Sequence, residues 1–306
     1  MSKMEIGFIG LGRMGANMVN RMLESKKINV FVQNRSPDPV KKAVSKGAKG
    51  FAKIEDLISN LKQKRKIVWI MLPSGEVTEK AFQQVLKLLN KNDIIIDGAN
   101  SNFHDSMRRH KEAEKKGINM LDVGVSGGII AATKGYPMMI GGKKEVYKFC
   151  KPIFDSFGIK EGYDLVGEGG AGHYVKMIHN AIEYGMMQAI AEGFDLLENG
   201  RFKGLDLKHI SHIWNHGTIV SSFLMQMVEQ ALSKDKNLKK LEPYVQDSGE
   251  GKWAATEALE KSVPFVRNSY ALHARFISRE KNSTAFRMLA AIRQEFGGHP
   301  VKEKKK

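Results

Sequence analysis

Over its first half the chain alternates short apolar runs with longer stretches of helical spacing. EIGFI at 5–9, NVFVQ at 29–33, KIVWIM at 66–71, DIIID at 93–97 and INMLDV at 118–123 each read as a buried strand, because a strand covered on both faces is a near-continuous apolar run. Between them, MVNRMLES and the stretch 77–89 place apolar residues on one helical face. Strand and helix in strict alternation predict a parallel sheet with crossover helices, an α/β domain. From about residue 171 the strand patterns stop. Helices are predicted over 171–198, 207–214, 220–232, 252–261, 264–278 and 285–296, with Gly297-Gly298 stopping the last. The expected organisation is an α/β domain over 1–168 and an all-helical domain with a C-terminal tail over 169–306, joined without a low-complexity linker.

Between the first strand and its helix stands Gly10-Leu11-Gly12-Arg13-Met14-Gly15. In that position the first glycine makes the turn, the second lets a pyrophosphate approach the backbone, and the third lets helix and strand pack closely. The helix N-terminal amides then face the phosphates. A Rossmann-type dinucleotide-binding domain is therefore expected, with residues 10–15 against the cofactor. The second strand ends in Asn34-Arg35-Ser36, with no carboxylate there to accept from the ribose hydroxyls. Arg35 is placed to meet a 2′-phosphate and Asn34 and Ser36 to hydrogen-bond it, which predicts NADP, with NAD as the alternative. Asp38 follows a proline and changes this little. Ligands of open parallel sheets lie beyond the strand C-termini. Met71 and Leu72, after the third strand, and Asn100, after the fourth, are thus expected beside cofactor and substrate. Ser126-Gly127-Gly128, after the fifth, can present amides and a hydroxyl to an anion.

The stretch KMIHNAIEYG places Lys176, His179, Asn180 and Glu183 within a wedge of roughly 100° on a helix, beside apolar Met177, Ile178, Ala181 and Ile182. Taken alone this is an amphipathic helix with a solvated face. Buried lysine and glutamate are otherwise uncommon unless paired or functional.

Composition narrows the classes. The 306 residues are 42% hydrophobic and 27% charged, as in a soluble globular protein. No apolar run approaches a membrane span, and the opening MSKMEIGFIGLG is a strand pattern rather than a signal peptide, so a cytoplasmic location is expected. Cys150 is the sole cysteine, which leaves no intrachain disulfide and no cysteine-based metal site; no metal is expected. The net charge of +16 is spread widely, its densest run being KEKKK at 302–306. With no zinc-finger spacing and no basic region joined to heptads, nucleic acid is not the expected partner. A small anionic ligand fits the charge.

The pieces GFIGLGRMGANM, VWIMLPSGEVTE, DGANSNFHDSMRR, DVGVSGG, GGAGHYVKMIHNAIEYGMMQ, VQDSGEGKW and RQEFGGH, in this order, resemble the 6-phosphogluconate dehydrogenases of the decarboxylating type, in their short form. The broader β-hydroxyacid dehydrogenases share the glycine loop, the SGG turn and a lysine, without the HN-x-x-EY continuation. The resemblance implies oxidative decarboxylation of 6-phosphogluconate to ribulose 5-phosphate. It makes Lys176 the base and later the acid, and Glu183 the acid that protonates the product carbon. His179 and Asn180 hold the substrate, and Ser126, Gly127 and Gly128 meet its carboxylate end. Asn100 is assigned to the cofactor–substrate junction, and Tyr184, Arg275, Arg293 and His299 to the sugar phosphate. The last two reach a neighbouring subunit's site in the family, which implies a homodimer or homotetramer. A small unphosphorylated hydroxy acid is the alternative substrate, and a non-catalytic NADP- or nucleic-acid-binding role a further one. This chain departs from the longer members at Ser248 and Glu250, where they carry lysine and threonine, and at Pro73, where they carry lysine.

Overall fold

The computed structural model describes residues 3–128 and 130–302; the end of the basic terminal run, 303–306, lies outside them. The chain divides into two compact units, Met1–Asn180 and Ala181–Lys306. The first opens with β1 (Met4–Ile9), α1 (Arg13–Glu24), β2 (Ile28–Gln33), α2 (Pro37–Val44), β3 (Lys49–Phe51) and α3 (Ile54–Asn60). It continues through β4 (Ile67–Ile70), α4 (Glu76–Leu88), β5 (Ile94–Asp97), α5 (Phe103–Lys115) and β6 (Asn119–Val125). Then come α6 (Ala131–Lys134), β7 (Tyr136–Gly142), α7 (Lys144–Phe157), β8 (Gly158–Gly167) and the first turns of α8 (Ala171–Asn199).

The strands form one eight-stranded sheet in the order β3-β2-β1-β4-β5-β6-β7-β8. All neighbours are parallel except β6 and β7. Successive side chains of a strand point to opposite faces. Ile67 and Trp69 of β4, with Ile94 and Ile96 of β5, enter one apolar cluster; Val68, Ile70 and Ile95 enter the other. Burial on both sides is why these strands read as unbroken apolar runs. β7 and β8 carry no such signal. β8 is an edge strand with glycine, lysine and glutamate, and it is exposed along much of its length. A three-residue β3 is likewise too short for a pattern to show.

The second unit comprises the rest of α8, then α9 (Leu207–Asn215), α10 (Phe223–Lys234), α11 (Glu250–Glu260), α12 (Val266–Arg279) and α13 (Thr284–Gly297). α10 begins at 223 rather than 220 because the Ser222 hydroxyl accepts the Met225 amide at 3.1 Å, capping donors a helix leaves unmet. Asp206 and Ser283 cap α9 and α13 in the same way. Tyr184, Ala271 and Leu272 make a small apolar core with Ala255 and Phe276. Residues 284–295 of α13 are all exposed. Among the described residues no helix is long and apolar enough to cross a membrane.

Candidate active site

β1 lies between β2 and β4, so the chain leaves it in opposite directions and opens a crevice at the strand ends. Gly10 makes the turn there at φ 102°, donating its amide to the Gln33 carbonyl at 2.9 Å. A Cβ on Gly10 would stand 2.2 Å from the Met71 carbonyl oxygen, and one on Gly15 would stand 2.2 Å from the Gly10 carbonyl oxygen. The loop after β4 and the start of α1 both close on this turn, so each glycine is sterically required. Nothing lies within 4 Å of a Cβ built on Gly12, and α1 has no side-chain cap. The approach to Gly12 is therefore open, and the N-terminal amides of α1 beside it carry partial positive charge, which fits a pyrophosphate.

Asn34 has a bracing role. Its Oδ1 accepts the Leu11 amide at 3.0 Å and its Nδ2 donates to the Ser36 carbonyl at 3.1 Å. Arg35 and Ser36 are exposed beside it. Arg35 lines a cavity of about 220 Å³ together with Lys41, Val40, Gly50 and Phe51. Lys41 gave no signal in the sequence, where it is one lysine among many on a helix surface. Asp38 occupies the first turn of α2, a favourable place for a carboxylate on helix-dipole grounds.

Asn100 sits in left-handed backbone at φ 48°. Its Oδ1 accepts the Val125 amide at 3.0 Å and its Nδ2 donates to the Val125 carbonyl at 3.3 Å, clamping the loop after β5 to the end of β6. Beneath it, Asp97 accepts Arg109 Nη1 at 2.8 Å and the Ser101 hydroxyl at 3.1 Å. Arg109 is only 1% exposed and also donates to Glu79 at 2.9 Å. Hydrogen bonds from Arg108, ahead of those from Gln83 and Arg109, hold the Glu79 carboxyl down at about 2 against the opposing effect of burial.

Lys176 is 6% exposed, and its Nζ donates to the Ser126 hydroxyl at 3.0 Å. The same Nζ stands 3.5 Å from His179 Nδ1, which in turn lies 3.0 Å from Asn180 Oδ1. Gly127 and Gly128, at φ 95° and 53°, shape the turn that carries Ser126. His179, Asn180 and Glu183 are half-buried, whereas Ile182 and Met186 are 48% and 44% exposed. The solvated face expected from the stripe alone is thus overturned at Lys176, which is buried with its neighbour Met177. An amine beside a hydroxyl and an imidazole can take up and return a proton. Glu183 lies two turns further along α8 and has no hydrogen-bond or ion-pair partner among the described residues.

In the second unit, Tyr184 accepts the Ser248 amide at 3.2 Å through its hydroxyl, which also lies 3.3 Å from the Ser248 hydroxyl. The Arg275 guanidinium stacks 3.6 Å from the Tyr184 ring centre and donates to the Gln246 carbonyl at 2.7 Å. Ser248 immediately precedes Gly249, the left-handed N-cap of α11. Hydroxyls, a guanidinium and a helix N-terminus together suit an anion. Glu250 is buried as the first residue of α11, and Lys252 lies 3.7 Å from Asp247. Arg293 and His299 stand at the C-terminal end of α13, both exposed.

Two family descriptions match the chain: the NAD binding domain of 6-phosphogluconate dehydrogenase over residues 5–167, and the 6-phosphogluconate dehydrogenase C-terminal domain over residues 172–306. The NAD(+)-dependent, decarboxylating 6-phosphogluconate dehydrogenase of Haloferax volcanii is 36% identical over 303 residues, covering 98% of this chain and 99% of its own length. The NADP(+)-dependent, decarboxylating enzyme of Bacillus subtilis is 37% identical over 298 residues, covering 92% of this chain and 62% of its own length. A Plasmodium falciparum 6-phosphogluconate dehydrogenase, solved in apo form, with NADP+ and with 6-phosphogluconate, superposes with a TM-score of 0.82 at 31% identity, over 99% of this chain and 67% of that one.

Proposed function

The chain belongs to the 6-phosphogluconate dehydrogenase family, and from that premise we propose that it converts 6-phospho-D-gluconate to D-ribulose 5-phosphate and carbon dioxide, with NADP as hydride acceptor and NAD as the alternative. The observation that carries the reading is the buried Lys176 amine held against Ser126 at the end of β6. When bound, the nicotinamide accepts hydride from C3 of the substrate. The Lys176 amine takes the proton of the C3 hydroxyl, which requires it to start neutral; burial favours that form. Now an ammonium, Lys176 polarises the C3 ketone, so the electrons of the breaking C1–C2 bond collect on its oxygen and carbon dioxide leaves. Lys176 returns the proton to that oxygen. Glu183 then protonates the carbon that becomes C1 of the product while the enol oxygen gives its proton back to the Lys176 amine, which restores the ketone. Its half-buried carboxyl, with no partner among the described residues, is available for this. His179 and Asn180 hold the reacting hydroxyls, and Ser126, Gly127 and Gly128 the departing carboxylate.

For the cofactor we assign residues 10–15, Met71, Leu72 and Asn100 to the pyrophosphate and nicotinamide side. Arg35 and Ser36, with Lys41, take the 2′-phosphate, braced by Asn34. Tyr184 and Arg275, joined by Ser248, take the sugar phosphate. Arg293 and His299 do so from a neighbouring copy, in a homodimer or homotetramer. The support for that assembly is α13: fourteen residues with Phe286, Met288, Leu289 and Ile292 all about half exposed or more. A helix that short is marginal in water without a packing surface. We place the nucleotide-binding part over 1–168 and the helical part after it, in a cytoplasmic protein.

Purified protein given 6-phosphogluconate and NADP should form NADPH and carbon dioxide. Lys176→Met should lose roughly 10²–10⁴ in kcat while binding NADP as before. No turnover with either nucleotide overturns the reading. Turnover confined to small unphosphorylated hydroxy acids replaces the substrate.

A further inference from the structure

α8 begins Gly169-Gly170-Ala171 and so has no side chain of its own at hand to cap its first amides. The cap comes from a strand. Asp122 of β6, 0% exposed, accepts the Gly170 amide on Oδ1 at 2.7 Å and the His173 amide on Oδ2 at 2.9 Å. His110 Nε2, on α5, meets the same Oδ1 at 2.9 Å with its ring side chain 17% exposed. Burial pushes this carboxyl up. The hydrogen bond from His110, the charge of His173 and His110, and the Gly170 amide outweigh burial and hold it below the usual carboxylate range.

Asp122 and Gly124 of β6, and Ser126 just past its end, follow one another at the strand period and so lie to one side. All three meet α8. Asp122 takes its amides at 170 and 173. A Cβ on Gly124 would stand 2.3 Å from Lys176 Cβ, so the stem of that lysine lies on bare backbone. Ser126 takes the amine at 3.0 Å. Gly172 closes the fit, since a Cβ there would stand 2.3 Å from the Asp122 carbonyl oxygen.

Resting on the reading of Lys176 as the base, we propose that Asp122 is a positioning residue: its carboxylate fixes the axial register of α8 on β6, so that the Lys176 amine meets Ser126. One residue of slip would move the lysine about 1.5 Å. A misplacement of about 1 Å at a reacting centre can lower the rate about 10²-fold.

Asp122→Asn keeps the shape but turns an NH2 toward one of the two helix amides. The expected result is a fall in kcat of about 10- to 100-fold. The NADP dissociation constant, measured calorimetrically, should stay within about twofold, and exchange of the amides at 170 and 173 should be faster. A kcat within about twofold of wild type overturns the proposal. So does a parallel loss of kcat and NADP affinity with a lowered melting temperature, which is general destabilisation. Gly124→Ala reaches the same register by another route: Asp122 stays, but the new Cβ would stand 2.3 Å from Lys176 Cβ and 2.8 Å from the Gly172 carbonyl oxygen, so α8 must shift on β6 and kcat should fall. If Asp122→Asn does not fold, Gly124→Ala decides, and an unaltered kcat there overturns the idea. A wild-type protein with no turnover of 6-phosphogluconate would refute the base assignment, while exchange at 170 and 173 would still report on the Asp122 clamp.

Discussion

Arg35 stands exposed at the rim of a small cavity that also receives Lys41, with no carboxylate at 34–36 to favour a free ribose hydroxyl. A charge-assisted hydrogen bond is worth about 1.5–3 kcal/mol. Arg35→Ala should therefore raise the Michaelis constant for NADP by about 10- to 100-fold and leave that for NAD near its starting value. Equal effects on the two nucleotides would remove Arg35 from 2′-phosphate recognition. Residues of this kind can be singled out one at a time, because the alternation of strands and helices marks the strand ends at which they stand. Lys176 was not assigned by its stripe, which taken alone read as a solvated face; the family resemblance singled it out. Asp122 was not singled out. A carboxylate inside INMLDV looks like a strand residue near an edge, and its partners at 170 and 173 lie 48 and 51 positions away.

At the scale of elements, α4, β5 and α5 are tied by charge rather than by apolar contact alone. Glu79 of α4 accepts from both Arg108 and Arg109 of α5, and Arg109 continues to Asp97 at the end of β5. This chain supports the loop that carries Asn100. The Glu79 carboxyl is held at about 2 rather than its ordinary 4.5, first by Arg108. A folded-state value below the unfolded one gives stability that is fully present above about 4.5 and is lost as pH falls toward 2. The urea midpoint should thus decline between pH 5 and pH 2, and Glu79→Gln should flatten that decline while lowering the midpoint at neutral pH. Parallel curves for the two proteins would show that Glu79 carries none of it. The strands this network braces were legible from their apolar runs. β8 was not, because a sheet edge is half wet and its residues lack the run; β7 lies one strand further in, and its YPMMIGG opens beside a proline and ends in two glycines.

For the whole molecule, the outward apolar positions matter most. Ile182, Met186 and Leu196 on α8, and Phe286, Met288, Leu289 and Ile292 on α13, are exposed in a single chain. Large exposed apolar patches mark interaction surfaces. Light scattering should find the full chain as a dimer or tetramer at micromolar concentration. Removing residues 284–306 should shift it to a smaller species and lower kcat/KM for 6-phosphogluconate. A full chain that stays monomeric while fully active would refute both the assembly and the contribution of Arg293 and His299 across it. The sequence by itself determined the α/β and helical halves, the glycine turn for a dinucleotide, and the polar stripe at 176–183, since periodicity and local turn chemistry are properties of neighbouring residues. Only the tertiary structure decided that Lys176 is buried, that Asn34 and Asn100 also brace loops, and that Gly124 and Ser126 meet the lysine. Those are contacts between distant segments, and no local pattern encodes which buried donor a folded chain will bring to a given acceptor.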